Sequence, residues 1–265
     1  MALHTSCFRN RQNPYTLLLI SILLLLPSIA GGADRRQPKS LDNITVTSVI
    51  DGDTIKLSSG LTVRYIGLDT PERGEPLYRE ARERNRRLLE GGRLRLEICK
   101  GEERDRYGRL LALLYSDGKL INATILREGY AMLMVIAPCG LEKASILQAS
   151  LREAIEESRG LWADLKTIPF SAAHHYIEKY MRVTGTVESI HDSGKAIYMR
   201  FSKGDRKGFY AVIFKNNLEL FMAEGIEPAR YVGRRVAIAG KVKEYRGRPE
   251  IIVASPYQVE FIKEQ

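Results

Sequence analysis

Between residues 45 and 115 the chain places short apolar-rich runs between turn residues. Runs at Thr45–Ile50, Thr54–Leu57, Val63–Gly67, Arg93–Cys99 and Leu110–Tyr115 carry β-branched or aromatic side chains. Gly, Asp or Ser bounds most of them, a pattern that predicts five strands. Ser58-Ser59-Gly60 and Ser116-Asp117-Gly118 read as hairpin turns. Helical periodicity over Pro76–Leu89, Leu120–Glu128 and Leu141–Ser158 predicts three helices, and Gly129 and Gly160 stand where helices should stop. Residues 42–165 are therefore expected to form a five-strand sheet or barrel with helices.

Near Thr167-Ile168-Pro169 the pattern restarts. Strands are predicted at Met181–Ser189, Ala196–Ser202, Gly208–Phe214, Arg235–Tyr245, Glu250–Ala254 and Gln258–Ile262, with a helix at Asn217–Ala223. Three strands, a helix and further strands is the order of an OB-type barrel, which gives a second domain over residues 176–265. The whole chain reads as mainly β with helices, an α+β protein.

The first 33 residues belong to neither pattern. Arg9 and Arg11 precede an apolar run from Leu17 to Ala30, and a polar stretch opens at Asp34. A positive start, an apolar centre and small residues before a polar start form a signal-peptide pattern. The run is too short to span a bilayer, for which about 20 apolar residues are needed. The chain is thus expected to be exported, secreted or periplasmic, without stable membrane insertion after cleavage. Cleavage would remove Cys7 and leave Cys99 and Cys139, either as one bridge or as two separate buried thiols.

Charge separates the two later segments. The formal net charge is +9. Residues 34–165 hold 22 basic and 21 acidic side chains, whereas residues 166–265 hold 17 and 11. The surplus lies mostly in the second segment, where Lys203, Arg206 and Lys207 share one turn and Lys241, Lys243, Arg246 and Arg248 surround another. Tyr198, Phe201, Phe209, Tyr210 and Tyr245 lie nearby in sequence. Basic groups track a phosphate backbone and aromatic faces stack bases, so nucleic-acid contact is expected here. Alternation should bury about half of these rings.

The candidate chemistry is concentrated between Asp51 and Glu72. Asp51-Gly52-Asp53-Thr54 places two carboxylates at a turn that opens a strand, and the next strand ends in Gly67-Leu68-Asp69-Thr70-Pro71-Glu72. If the two strands form an antiparallel hairpin, Asp53 and Asp69 meet at one end of the sheet. Paired carboxylates with a nearby carbonyl suit a hard divalent cation, Ca²⁺ or Mg²⁺, and no Cys/His cluster favours zinc. Arg64 lies between the acids, and Asp105-Arg106-Tyr107-Gly108-Arg109 adds two arginines. Guanidinium groups match phosphate oxygens and balance charge developing at phosphorus. Strict alternation puts Arg64 and Asp69 on opposite faces, so a bulge or strand end is needed to realign them.

These motifs, in this order and closed by Gly160-Leu161-Trp162, resemble the staphylococcal nuclease (thermonuclease) family from about Asn43 to Trp162. The resemblance implies an OB-type five-stranded barrel with three helices. It implies Ca²⁺ held by Asp53, Asp69 and the Thr70 carbonyl, with Asp51 in support. Glu72 would be the general base, Arg64 and Arg109 would hold the phosphate, and Tyr107 would touch a substrate phosphate. DNA, RNA or both would be the substrate, with 3′-phosphate ends as products. The same resemblance makes Cys99 and Cys139 neighbours and thus a disulfide candidate. Val135 and Ala137 stand where the family carries tyrosines, a departure that bears on base stacking more than on hydrolysis. The other expectation from the same residues is a non-catalytic nucleic-acid-binding protein built from two OB-type barrels.

Overall fold

The computed structural model describes residues 39–134, 141, 143–202 and 208–263. The expected signal segment, Cys139, Val135, Ala137, Lys203, Arg206 and Lys207 lie outside them. The described chain is α+β and mostly sheet. Among the described residues no helix is long and apolar enough to cross a membrane.

The first half contains β1 (Ser40–Asp42), β2 (Val46–Val49), β3 (Thr54–Leu57), β4 (Thr62–Tyr65), β5 (Gly67–Asp69), α1 (Tyr78–Leu88), β6 (Leu94–Ile98), β7 (Leu110–Ser116), β8 (Lys119–Leu120), α2 (Ile121–Arg127), β9 (Met132–Met134) and α3 (Ala144–Glu156). The predicted strands pair in the order β6-β7-β4-β3-β2, with β1 added beyond β6. β6 alternates buried and half-buried positions, whereas β7 opens with five consecutive buried residues. The continuous run marks β7 as the central strand, covered on both faces. It lies parallel to β4 and antiparallel to β6. Asn122 of α2 ties helix to sheet, donating to the Ile66 carbonyl at 2.8 Å and accepting the Leu114 N–H at 2.9 Å.

The helix stops expected at glycine are backbone contacts as well. Gly129 and Gly160 have φ of 76° and 54°. A Cβ on Gly129 would stand 2.1 Å from the Arg159 carbonyl oxygen. The Leu161 N–H donates to the Gly129 carbonyl at 2.8 Å, so the end of α2 and the segment after α3 meet main chain to main chain.

The second half contains β10 (Thr167–Pro169), β11 (Tyr180–Thr186), β12 (Ser189–Asp192), β13 (Ala196–Arg200), β14 (Tyr210–Phe214), α4 (Lys215–Ala223), β15 (Arg235–Tyr245), β16 (Arg248–Ile252) and β17 (Val259–Phe261). The strand expected at Met181–Ser189 is β11, and β12 is a separate strand that the sequence pattern did not predict, because the ladder changes partner between them. β11 pairs with β15, and β12 pairs with β13. The sheet order is β10-β11-β15-β16-β14-β13-β12, with β14 parallel to β16. The run β15-β16-β14-β13-β12 therefore repeats the order β6-β7-β4-β3-β2 of the first half, including its single parallel pair.

Each half has its own apolar core, around Tyr65, Leu96 and Leu114 in the first and Phe201, Phe209 and Phe221 in the second. Phe201 and Phe209 are core side chains, which removes them from the base-stacking candidates. Leu220 and Ala254 of the second half belong to the first core, and Tyr180 and Ala239 pack against it. Gln148 Nε2 of α3 donates to Glu224 at 3.0 Å across the same boundary.

Candidate active site

The site begins with Gly52. A Cβ there would lie 2.8 Å from the Thr70 side chain and 3.0 Å from Ala81, so only glycine lets the Asp51–Asp53 turn approach the strand that carries Asp69. The turn is held from α1. Asn85, fully buried, donates to the Asp51 carbonyl at 3.1 Å and accepts the Tyr65 hydroxyl at 2.9 Å. Asp51 Oδ1 accepts the Asp53 N–H at 3.0 Å.

Asp53 is nearly buried. Its Oδ1 accepts the Thr54 hydroxyl at 2.9 Å, and its Oδ2 accepts the Thr70 N–H and hydroxyl at 3.0 and 2.9 Å. β3 and β4 are antiparallel with Thr54 opposite Arg64, as the hairpin reading required. Arg64 forms an ion pair with Asp53, and its other terminal nitrogen lies 3.7 Å from Asp69 Oδ1. Gly67, at φ +83°, breaks the strand after Tyr65 and starts β5, which pairs with β9 instead. That break removes the alternation conflict between Arg64 and Asp69. Arg64 reaches the turned chain directly, donating to the Leu68 carbonyl at 2.9 Å.

Burial is the largest influence on the Asp53 carboxyl and raises it from 3.8 to about 6; Arg64 opposes the rise and Asp51 adds to it. A second positive charge beside Asp53 would favour its ionised form. Asp53, Asp69 and the Thr70 carbonyl make an all-oxygen donor set, the chemistry of a hard cation rather than zinc. Among the described residues no three His, Cys, Asp or Glu side chains converge as a group that could hold a metal. The fit is therefore to two carboxylates and a main-chain oxygen. The His174 and His175 rings lie with centroids 3.7 Å apart, tilted by 44°.

Glu72 stands exposed on the loop after β5. Its N–H donates to Glu75 Oε2 at 2.8 Å, and the Glu75 N–H returns a bond to the Glu72 carbonyl at 2.9 Å. Arg109 is engaged on its own turn. It pairs with Asp105 Oδ2 at 2.6 Å, and its N–H donates to Asp105 Oδ1 at 3.0 Å. Tyr107 is 67% exposed, with Arg106 and Arg109 over its ring at 4.7 and 5.4 Å. Asp51, Asp53, Arg64, Asp69 and Thr70 are thus brought together, whereas Tyr107 and Arg109 form a neighbouring group on the turn before β7. Cys99 is disulfide-bonded and 4% exposed.

Three site residues come from the second half. Lys241 of β15 lies 2.5 Å from Glu75 Oε1 and 2.8 Å from Glu178 Oε2, with only 12% of its side chain exposed. Lys243 Nζ lies 3.6 Å from Asp69 Oδ2. Tyr180, opposite Lys241 in the ladder, has its phenol pushed far above its ordinary range, first by burial and then by Glu75, Asp69, Glu72 and Asp53. The sequence groups Lys241 and Lys243 as basic residues near a turn but gives no sign that they face the acids. A large cleft between β2 and α1 is lined by none of Asp53, Arg64 or Asp69.

The staphylococcal nuclease homologue family matches residues 62–164. Endonuclease YncB of Bacillus subtilis (strain 168) is 36% identical over 143 residues, 51% of this chain and 68% of that protein. The chain belongs to the staphylococcal nuclease family. The SPbeta prophage-derived endonuclease YokF of the same organism is 37% identical over 134 residues, 47% of this chain and 45% of that protein. Thermonuclease of Staphylococcus hyicus is 34% identical over 128 residues, 45% of this chain and 75% of that protein. The nuclease-family region is OB-type and takes in Arg64, Asp69, Glu72 and Arg109.

Proposed function

We propose that this chain is an exported, calcium-dependent nuclease that hydrolyses phosphodiester bonds in DNA, RNA or both and leaves 3′-phosphate ends. One observation carries the reading: in a chain of this family, Arg64 stands between Asp53 and Asp69, beside the loop of Glu72. The relatives' names, two endonucleases and a thermonuclease, agree with phosphodiester hydrolysis.

Asp53, Asp69 and the Thr70 carbonyl would hold Ca²⁺, and Asp51 would support them. Bound there, Ca²⁺ would supply Lewis-acid stabilisation of charge on the phosphoryl oxygens. Glu72 takes a proton from the attacking water. Arg64 binds the scissile phosphate from the acid side, and Arg109 meets it from the turn before β7. Both guanidiniums balance the charge added in the pentacoordinate transition state. Tyr107, exposed and flanked by arginines, contacts a further phosphate.

The same reading divides the chain into a signal peptide at 1–33, a nuclease domain at 42–165 and an OB-like domain at 176–265. The repeated strand order supports that last assignment. Cys99 would pair with Cys139, which suits an oxidising compartment.

The test is digestion of plasmid DNA by the purified chain with Ca²⁺ and with excess EGTA. Cleavage that stops with chelation is expected. Undiminished cleavage in EGTA would remove the metal assignment, and binding without cleavage would favour the two-barrel binding protein.

A further inference from the structure

Lys243 fixes which face of the second sheet looks toward the acids, because its ammonium lies 3.6 Å from Asp69. Directly opposed residues in neighbouring strands share a face. Lys243 is opposite Glu250, Glu250 opposite Tyr210, and Tyr210 opposite Arg200. This row starts beside Asp69 and crosses β15, β16, β14 and β13 on one side of the sheet. Three strand spacings make it about 14 Å long, room for a few nucleotides.

The far end of the row is a built groove. A cavity of about 270 Å³ lies over Tyr210, lined by Arg200, Arg246, Arg248 and Tyr245 and by one carboxylate, Glu250. That volume falls just below the roughly 300 Å³ at which small-molecule clefts begin, and suits one planar group better than a whole cofactor. The Arg200 and Arg248 guanidiniums lie over the Tyr210 ring at 5.8 and 5.2 Å, and Tyr198 meets its edge at 6.2 Å. Tyr245, opposite Arg248, is 49% exposed with Arg246 over its ring at 5.2 Å. Tyr210 is only 6% exposed and serves as a platform for the two guanidiniums; the exposed Tyr245 offers the face on which an unpaired base stacks, while the arginines follow the phosphates.

We infer that this row is a binding track for single-stranded nucleic acid, which leads the strand from the site of cleavage past Lys243 and Tyr245 into the Arg200/Arg248 groove. The inference rests on the nuclease reading for its starting point, but the groove is read from the second sheet alone.

The experiment compares two substrates of the full chain: a single-stranded oligonucleotide of about 20 nucleotides and a mononucleotide nitrophenyl phosphodiester too short to reach the groove. R200E/R248E should raise KM for the oligonucleotide at least about tenfold more than KM for the ester. It should also flatten the salt dependence of oligonucleotide binding by roughly 1.4 in log–log slope, two contacts at about 0.7 each. K56E/K119E makes the same charge change elsewhere on the surface and should not produce this split. If R200E/R248E misfolds by circular dichroism, R246A at the exposed hairpin tip replaces it. Equal KM changes for both substrates, or the same split in K56E/K119E, overturn the track. Duplex DNA that competes as well as single strands removes base stacking from it. If the unaltered chain cleaves neither substrate, the nuclease reading fails separately. Fluorescence anisotropy of the labelled oligonucleotide then decides the track, and an unchanged Kd in the variant overturns it.

Discussion

Lys241 and the Glu72 main chain bind opposite oxygens of one carboxylate, that of Glu75. Lys241 Nζ lies 2.5 Å from Oε1, and the Glu72 N–H donates to Oε2 at 2.8 Å. A lysine in the second half of the chain thereby sets the position of the proposed general base in the first. Both side chains of the ion pair are almost enclosed, at 12% and 14% exposure, so the contact is shielded from solvent screening. K241M should lower kcat about tenfold, with a smaller change in KM for a short substrate. K241R should recover part of the loss, because it restores a donor to Glu75. Steady-state kinetics on the mononucleotide ester checks this. A fall in thermal stability with unchanged kcat would make Lys241 purely structural.

Removing the proposed base should be harsher. Glu72 is exposed, and its main chain rather than its carboxylate makes the loop's hydrogen bonds. E72Q should therefore fold normally and bind substrate, yet lose turnover by about two to four orders of magnitude, the range of general-base contributions. Single-turnover cleavage combined with binding measurements separates the two effects.

The buried Asp53 carboxyl predicts an unusual pH dependence for the chain stripped of metal by chelation. Its folded value, about 6, lies above the ordinary 3.8, so the folded state holds the proton more tightly than the unfolded state. This contribution is fully present below about pH 4 and is lost as pH rises through about 6. The change is worth up to about 3 kcal/mol. Denaturant unfolding at pH 5 and 7.5 should show the metal-free chain losing stability with rising pH, and D53N should remove most of that slope.

Gly129 offers a prediction independent of catalysis. An alanine there would have to hold φ near 76° and push its Cβ against the Arg159 carbonyl, a main-chain atom with little freedom to move. Left-handed backbone and overpacking together should cost about 3 kcal/mol or more. Urea unfolding of G129A measures it.

Local patterning made much of the first half legible. β3, β4, β6 and β7 follow from short apolar runs bounded by turn residues, and the acids with Arg64 follow from motif order. The Arg64–Asp69 contact was not legible, because alternation alone cannot show that Gly67 breaks one strand and starts another. The β5–β9 pair escaped for a related reason: three-residue strands carry too little periodicity to be read. In the second half, the aromatic cluster divided only in part as alternation implies: Phe201 and Phe209 are inside and Tyr245 outside, but Tyr210, next to Phe209, is buried as well. What no local pattern could give was the approach of Tyr180, Lys241 and Lys243 to the acids. Their place depends on the register of β11 against β15 and on the packing of one core beside the other, both of which are long-range.

The Glu75–Lys241 contact also orders events during synthesis. The acids, Arg64, Glu72 and Arg109 all emerge from the ribosome well before β15. Until β15 arrives, the loop of Glu72 lacks the lysine that fixes Glu75. A growing chain would therefore carry the proposed catalytic residues without their anchor, and the arrival of one strand would set the delay before the proposed site is complete.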